Sequence, residues 1–365
     1  MNPRERVLTA TNHREADRVP IFSPNIMSTT EPYDPGLLSY LAKLPVDDLA
    51  TVGGLVGDPG AQIAQPDGTL VDGYGCRFRY MGMGLPYCIY SPLSAAETVA
   101  EVEAYPWPDP EAPGLVAPDA AARARALHAA GERAVAVGVG PLFHRYHYLR
   151  GFEGWMVDIA QRRDMHRVIA ERIHHIQTTL LLRLLEEVGE WVDFVCGGDD
   201  LGTSLAPYMS PRDFRALIRP YYVDLIGRIK GRWPHIKFYL HSHGGIMDLV
   251  ADLIECGVDV LNPILPLDSM DPVRLKREFG DRLCFHGGID VEHILPFGTE
   301  EEVRDHVREV VDILAPGGGY WFKAQVISPM IPPRNVIAAY DAALEFCRYE
   351  PRNFTAKVAK IAKNR

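Results

Sequence analysis

The sequence lacks the features of several broad protein classes. No apolar stretch reaches the roughly 18 residues that cross a membrane, and no basic block of the kind that binds nucleic acid is present. Residues 1–6 lack the apolar core of a signal peptide. The six cysteines contain no CxxC pair, which indicates reduced thiols rather than a disulfide framework. We therefore expect a cytoplasmic protein that has neither nucleic acid nor membrane as a partner.

The composition is that of an ordinary globular protein. The chain has 365 residues, of which 47% are hydrophobic, and a formal net charge of −10. Eight short apolar runs divide it, most of them followed by a segment with helical periodicity. Continuous rather than alternating hydrophobicity is typical of parallel strands that are buried on both faces. The runs are 19–23, 49–53, 134–138, 193–197, 237–241, 259–262, 283–286 and 320–323.

Repeated alternation of strand and helix predicts an α/β fold, namely a (β/α)8 TIM barrel in a single domain over residues 1–365. A doubly wound open sheet is the alternative, but the sequence has no glycine-rich dinucleotide fingerprint. Residues 55–132, after the second run, interrupt the alternation. Their segments 68–80 and 86–90 predict a β-hairpin with turn glycines. We expect this insertion to form a lid over the mouth of the barrel.

Two histidines separated by one residue follow the fifth run. His241 and His243 belong to the stretch His-Ser-His-Gly-Gly, between a strand and a helical segment. Side chains two positions apart on extended backbone point the same way, so both imidazoles are expected to face one point. Such a pair suits a shared metal ion or a substrate anion, and the glycines are expected to leave backbone N–H groups free. The alternative is one capping histidine and one core histidine.

Active sites of such barrels lie at the carboxyl ends of the strands, and polar side chains follow the apolar runs at those ends. We predict catalytic roles for Asp199, Asp200, His241 and His243. The residues predicted to bind substrate are Asn25, Arg145, His147, Asn262, His286, Lys323 and Gln325. Arg145 and Lys323 are either cations for a substrate carboxylate or phosphate, or solvated charges at the rim.

Two imidazoles with a carboxylate or thiolate can hold Zn²⁺ with one coordination position open. We predict His241, His243 and Asp200 as metal ligands. Other candidates for the third ligand are Asp199, Glu255, Cys284 and His286. A zinc ion there would polarise a substrate oxygen or lower the pKa of a bound water or thiol.

Several stretches of the chain resemble the uroporphyrinogen decarboxylase superfamily. They are residues 149–153, 199–203, 209–214, 241–244, 257–263, 287–290 and 314–319. The resemblance implies a TIM barrel, often dimeric, with one of two activities. One is decarboxylation of uroporphyrinogen acetate side chains without a cofactor. The other is zinc-dependent methyl transfer to or from a corrinoid protein.

The resemblance is closer to the methyltransferase branch. The decarboxylases carry an arginine-rich segment after the first strand, whereas residues 24–30 contain no arginine. A polycarboxylated tetrapyrrole needs cationic partners in its pocket. The methyltransferases typically carry His-x-Cys-Gly after the fifth strand and a further cysteine before the eighth. His243 and Gly318 occupy those two cysteine positions here.

We therefore predict a methyltransferase that moves a methyl group between a small O- or N-methylated substrate and a corrinoid protein. The cobalamin would come from that partner, because the sequence contains no recognisable cobalamin-binding domain. Two alternatives remain. One is a cofactor-free carboxy-lyase that acts on a smaller carboxylated molecule, and the other is a non-catalytic protein that binds a corrinoid or tetrapyrrole.

Overall fold

The computed structural model describes residues 1–26, 33–82, 84–266, 268–328 and 330–349. The strands in these ranges are β1 (Asn25–Ile26), β2 (Ala50–Thr51), β3 (Ile63–Ala64), β4 (Leu70–Val71), β5 (Arg77–Arg79), β6 (Tyr87–Tyr90), β7 (Val135–Gly138), β8 (Phe194–Gly198), β9 (Lys237–His241), β10 (Val260–Ile264), β11 (Cys284–Gly288), β12 (Tyr320–Lys323) and β13 (Val326–Ile327).

The helices in the same ranges are α1 (Pro3–Thr11), α2 (Pro35–Leu41), α3 (Val99–Glu103), α4 (Ala120–Ala130), α5 (Phe143–Arg150), α6 (Phe152–Gln161), α7 (Arg163–Val188), α8 (Pro211–Leu217), α9 (Arg219–Arg232), α10 (Val250–Cys256), α11 (Pro272–Phe279), α12 (Ile294–Phe297), α13 (Glu300–Leu314) and α14 (Pro333–Phe346). Short 3₁₀ turns occur at Gly189–Trp191, Met247–Leu249 and Asp268–Met270. Within the described ranges, no helix combines the length and the apolar composition needed to cross a bilayer.

A curled parallel sheet forms the centre of the molecule. In the described part of the chain it has seven strands in the order β12-β11-β10-β9-β8-β7-β2. The strands follow one another as they do in the sequence, except that the insertion strands β3 to β6 are absent between β2 and β7. The sheet therefore has no reversal of strand order, the feature at which a doubly wound sheet binds its ligand. The arrangement is therefore an α/β fold of the TIM-barrel type.

The first apolar run, residues 19–23, lies along β12 but forms an isolated bridge to it rather than a strand. Ile21 bridges to Phe322 in parallel, and the Phe22 N–H donates to Phe322 O at 2.9 Å. On its other side, Ile21 O accepts from the Asp47 N–H at 2.7 Å, while the Ile21 N–H donates to the Asp47 carboxylate at 2.8 Å. A side chain thus replaces part of the backbone pairing at this seam between the first run and the residues before β2.

Alternate residues of the strands face two different cores. On β9, Phe238 and Leu240 join the large cluster beneath the helices, whereas Tyr239 packs with a smaller cluster that contains Phe194 and Trp321. His241 lies two positions after Tyr239 on the same strand. The register therefore places it on the inner face of the sheet, at its carboxyl end.

The insertion is larger than the predicted hairpin. Its strands form an antiparallel sheet in the order β3-β4-β5-β6. Phe78 on β5 contacts the ring of Tyr148 on α5 edge to face, with centroids 5.2 Å apart. The sheet thus packs beside the helix that follows β7, and its role as a lid stays a prediction.

Helix boundaries follow the capping residues of the sequence. The Ser210 side chain accepts from the Asp213 N–H and Pro211 opens α8. Thr299 and Glu302 form a capping box at the start of α13. Ile218 separates α8 from α9, and Pro220 lies in the first turn of α9, where a proline is well tolerated.

Candidate functional site

His241 is held in one orientation by its neighbour across the sheet. His241 and Asn262 are partners in the register of β9 and β10, and His241 Nδ1 lies 2.7 Å from Asn262 Oδ1. The Asn262 amide nitrogen donates to His286 O at 3.2 Å, which fixes the orientation of the amide. His241 Nδ1 therefore carries the proton, and Nε2 keeps a lone pair. Burial lowers the pKa of His241, so the ring is neutral at pH 7.

Asn262 and Gln325 support that orientation together. The Asn262 amide donates to Gln325 Oε1 at 3.0 Å, and Gln325 Nε2 donates back to Asn262 Oδ1 at 3.3 Å. Both side chains are buried. Although both were predicted to bind substrate, their hydrogen-bonding groups are directed at each other, at His241 and at the backbone. Their geometry is that of positioning residues.

His243 and Asp200 lie beside His241. The rings of His241 and His243 are 4.8 Å apart between centroids, at an interplanar angle of 69°. The His243 N–H donates to Asp200 Oδ1 at 2.9 Å. Burial lowers the pKa of His243. The structure thus brings two neutral imidazoles and one carboxylate together, as the spacing of the histidines suggested.

The two glycines after His243 allow their loop to pack closely against the loop after β8. Gly244 has a φ of 111°, and a Cβ there would lie 2.5 Å from the Gly202 carbonyl oxygen. The Gly245 N–H donates to Thr203 O at 2.7 Å. The expectation of a free N–H is therefore wrong for Gly245, because the loop after β8 already accepts its hydrogen bond.

Asp199 faces away from the imidazoles. Its carboxylate accepts hydrogen bonds from the N–H groups of residues 142–144, at 3.1, 2.8 and 2.7 Å, and from Tyr222 Oη at 2.5 Å. Burial raises the pKa of Asp199, and the donors act against that effect. Asp199 thus caps α5, whereas the adjacent Asp200 faces the site. We assign Asp199 a positioning role in place of the predicted catalytic one.

A wall of rings from α5 and the loop after β8 borders Asp200. The Asp200 N–H donates to His144 Nδ1 at 3.4 Å, and the His144 ring stacks on Tyr148 at 5.2 Å. His147 contacts both rings at 4.5 Å, and burial lowers its pKa to about 3. Tyr208 also lies within electrostatic reach of Asp200. Neither Tyr148 nor Tyr208 was predicted as a site residue, although the spacing of His144 and Tyr148 places them on one face of a helix.

Arg145 differs from the expected rim cation. Its guanidinium is buried, forms an ion pair with Asp72 of the insertion and lies 4.5 Å from the centroid of the Tyr74 ring. Asp72 thus compensates the charge of Arg145 within the protein. It instead links the insertion to α5.

Lys323 is the other predicted rim cation, and it is also buried. The residue is 9% exposed, and Nζ donates to Asn25 Oδ1 at 3.0 Å. Among the described carboxylates, Asp48 acts on the charge of Lys323 and raises its pKa, although the two side chains do not form an ion pair. Burial lowers the pKa of Lys323 to about 8. Asn25, predicted to bind substrate, therefore contacts the ammonium group directly.

His286 lies deeper on the inner face. Its Nδ1 is 3.2 Å from Tyr239 Oη, and its ring packs against Phe22 and Trp321 at centroid distances of 4.6 and 5.2 Å. Burial lowers its pKa well below the usual value. His286 Nε2 is buried without a hydrogen-bond partner. The predicted contact of His286 with substrate stays a prediction.

The side chains predicted as zinc ligands do not all lie together in the structure. His241 and His243 can supply two nitrogens, but the described residues contain no group of three His, Cys, Asp or Glu side chains placed to hold a metal ion. Asp199 is occupied as a helix cap, and Glu255 pairs with Arg219 at 2.8 Å. Cys284 is buried in the inner cluster, where burial raises its pKa. A zinc ion held by His241, His243 and Asp200 therefore stays a prediction.

Comparisons with known proteins agree on the family. The model of the family "Uroporphyrinogen decarboxylase (URO-D)" matches residues 69–346. A uroporphyrinogen decarboxylase from Synechococcus sp. (strain JA-2-3B'a(2-13)) is 25% identical over 161 residues, which are 43% of this chain and 44% of that relative. The chain therefore aligns with less than half of the relative's length.

Among solved structures, a methyltransferase from Methanosarcina mazei matches with a TM-score of 0.60 and 15% identity. The match covers 95% of this chain and 99% of the other, which shows that the two share a fold. Since the family model spans most of the sequence, the chain belongs to the uroporphyrinogen decarboxylase (URO-D) family.

Proposed function

We propose that this protein is a methyltransferase that transfers a methyl group between a small O- or N-methylated substrate and a corrinoid protein. The observation that carries this proposal is the charge content of the site. Arg145 is neutralised by Asp72, which leaves Lys323 as the buried cation near the imidazoles among the residues that the structure describes. A tetrapyrrole with many carboxylates would need several such partners.

The methyltransferase from Methanosarcina mazei supports the proposal as a structure with the same fold. In our proposal, Asp200, His241 and His243 bind the part of the substrate that carries the methyl group. Neutral His241 offers the Nε2 lone pair as a hydrogen-bond acceptor, and Asn262 with Gln325 holds the ring in place. The corrinoid of the partner protein would supply the cobalt that accepts the methyl group.

An N-methylated ammonium substrate fits these groups better than a methyl ether. When a methyl group leaves an ammonium nitrogen, the electron pair of the C–N bond neutralises that nitrogen, so no proton is required. An ether oxygen would need a proton donor, and His241 and His243 are both neutral at pH 7 because burial lowers their pKa values. The N-methylated substrates are therefore our first choice.

Zinc assistance stays a prediction, and we assign no step to it because the described residues do not complete a three-ligand site. Metal analysis of protein purified without a histidine tag measures the zinc content directly. About one zinc per chain that is lost in a His243→Ala variant would show that the site is completed in solution.

The test of the function is methyl transfer to cob(I)alamin, followed by absorbance, with a panel of methylated amines and aryl methyl ethers. We expect His241→Ala to lower the rate by about 10- to 100-fold. His293→Ala is the matched control, because the His293 side chain is 71% exposed. Equal rates in both variants would contradict the proposed role of the site.

A carboxy-lyase is the second candidate, and Lys323 favours it. A buried ammonium with no paired carboxylate is suited to hold a substrate carboxylate. Release of carbon dioxide from a carboxylated substrate without cobalamin, lost in Lys323→Gln, would support this function over methyl transfer.

A further inference from the structure

In the described part of the chain, two opposite charges in the site have no lysine, arginine or carboxylate partner at ion-pairing distance. The Asp200 side chain is 32% exposed, and no described lysine or arginine lies within ion-pairing distance of it. His144 Nδ1 accepts the Asp200 N–H, so this nitrogen presents a lone pair to the carboxylate rather than a proton. Lys323 donates to one neutral oxygen, Asn25 Oδ1, and Asp48 acts on its charge only from beyond ion-pairing distance. Each charge is thus available to a ligand.

The ring of His241 lies within reach of both charges. Asp200 raises its pKa and Lys323 lowers it, although burial has the larger effect. The strand register explains why Asp200 lies near His241, because Gly198 pairs with His241 and precedes the loop that carries Asp200. The negative group therefore lies towards the ring wall of α5, and the positive group lies towards β12.

Comparison with a second buried lysine shows what Lys323 lacks. Burial lowers the pKa of Lys276 to about 8, as it does for Lys323. Lys276 Nζ donates to two backbone carbonyls, Leu314 O and Gly318 O, both at 2.8 Å. Lys323 has one neutral acceptor, so its ammonium group retains donors for an anion.

The surroundings of Asp200 suit a methylated cation. Tyr148 and Tyr208 both lie within electrostatic reach of its carboxylate. A quaternary ammonium has no N–H group to donate and is bound through a nearby carboxylate and the faces of aromatic rings. A primary ammonium would instead require several hydrogen-bond acceptors.

We propose that the substrate is a small zwitterion, whose N-methylated ammonium binds at Asp200 beside Tyr148 and Tyr208 and whose anionic group binds Lys323. This inference rests on the proposed function and narrows its substrate class. It requires a molecule that carries both charges, rather than a simple methylamine or an aryl methyl ether.

Three small probes, of which the two carboxylates have nearly equal shape, test the inference by titration calorimetry without cobalamin. Glycine betaine carries both charges, tetramethylammonium carries the positive charge, and 3,3-dimethylbutanoate carries the negative charge. We expect a betaine to bind at least about tenfold more tightly than either singly charged probe. Betaines with one and two further methylene groups cover longer separations between the charges.

Variants assign each charge to its residue. Asp200→Asn keeps the oxygen that accepts from the His243 N–H, and it is expected to weaken betaine binding while leaving 3,3-dimethylbutanoate unchanged. Lys323→Gln is expected to weaken betaine and 3,3-dimethylbutanoate but not tetramethylammonium. Lys276→Gln is the control for loss of a buried lysine and is expected to leave all three affinities unchanged.

The inference is overturned if no betaine exceeds both singly charged probes, or if Lys323→Gln and Lys276→Gln have the same effect. These outcomes are distinct from failure of the proposed function. Tight betaine binding without methyl transfer would refute the methyltransferase and retain the zwitterion site. Methyl transfer from a neutral ether without any preference for zwitterions would do the reverse.

Discussion

Replacing Asn262 by aspartate tests the central geometric claim, that His241 is neutral with its proton on Nδ1. In the wild type, burial holds the pKa of His241 below its usual value of 6.5. A carboxylate in place of the amide oxygen 2.7 Å from Nδ1 is expected to raise that pKa, because a negative charge beside the ring stabilises the imidazolium. The neutral ring would then be lost at a higher pH, so the acid limb of any activity that needs Nε2 moves upward.

The same change has a calculable effect on stability. The Asn262→Asp variant would lack the two amide donors that now reach His286 O and Gln325 Oε1, at 3.2 and 3.0 Å. At about 1 kcal/mol for each hydrogen bond, with a further cost for the acceptors left unpaired, we expect a loss of about 2 to 4 kcal/mol. Asn335→Asp is the matched control, because Asn335 also donates to two carbonyls, Leu295 O and Gly298 O.

The assay is ¹⁵N NMR of protein labelled on histidine, with the His241 signals assigned by a His241→Gln variant. It reports the tautomer and the pKa without knowledge of the substrate. We expect the wild type to show a protonated Nδ1 and a bare Nε2. A proton on Nε2 in the wild type, or an unchanged His241 titration in Asn262→Asp, would refute the reasoning.

Three further predictions concern stability and metal content. Asp72→Asn leaves the buried Arg145 charge uncompensated and is expected to cost about 3 to 5 kcal/mol by urea unfolding; a loss below about 1 kcal/mol would show that water replaces the partner. Gly244→Ala forces a Cβ against Gly202 at a φ of 111° and is expected to cost at least about 1 to 3 kcal/mol, whereas Gly227→Ala, in open space on α9, is expected to gain up to about 1 kcal/mol. Plasma emission analysis is expected to show less than about one zinc per chain in protein purified without added metal, because the described residues contain no group of three His, Cys, Asp or Glu side chains placed to hold the ion; a stoichiometric ion would contradict this.

The fold could be predicted because its signal is local. Each of the runs from 134–138 to 320–323 overlaps a strand of the parallel sheet, since buried parallel strands require continuous apolar residues. The irregular backbone of the first run was harder to predict. Pro20 and Pro24 provide no N–H group for a ladder, and the run instead relies on carboxylates from residues 47 and 48.

The site was predicted where neighbours along the chain decide the geometry. The spacing of His241 and His243 is sufficient to place their rings together. The directions of the Asp199 and Asp200 side chains could not be predicted. Adjacent carboxylates in a loop point to opposite sides, and the sequence does not show which of the two contacts α5. Arg145 was misplaced because its partner, Asp72, is 73 positions away in the chain.

The seam beside the first run has a consequence for local opening. Between β8 and β9, five successive residue pairs are in register, whereas at the seam Ile21 and Ser23 each direct an N–H to a carboxylate. A carboxylate can rotate away about its own bonds, while a strand must separate along its length. Hydrogen exchange should therefore begin at Ile21 and Ser23, so that the wall of the sheet opens at the place where the chain first enters it.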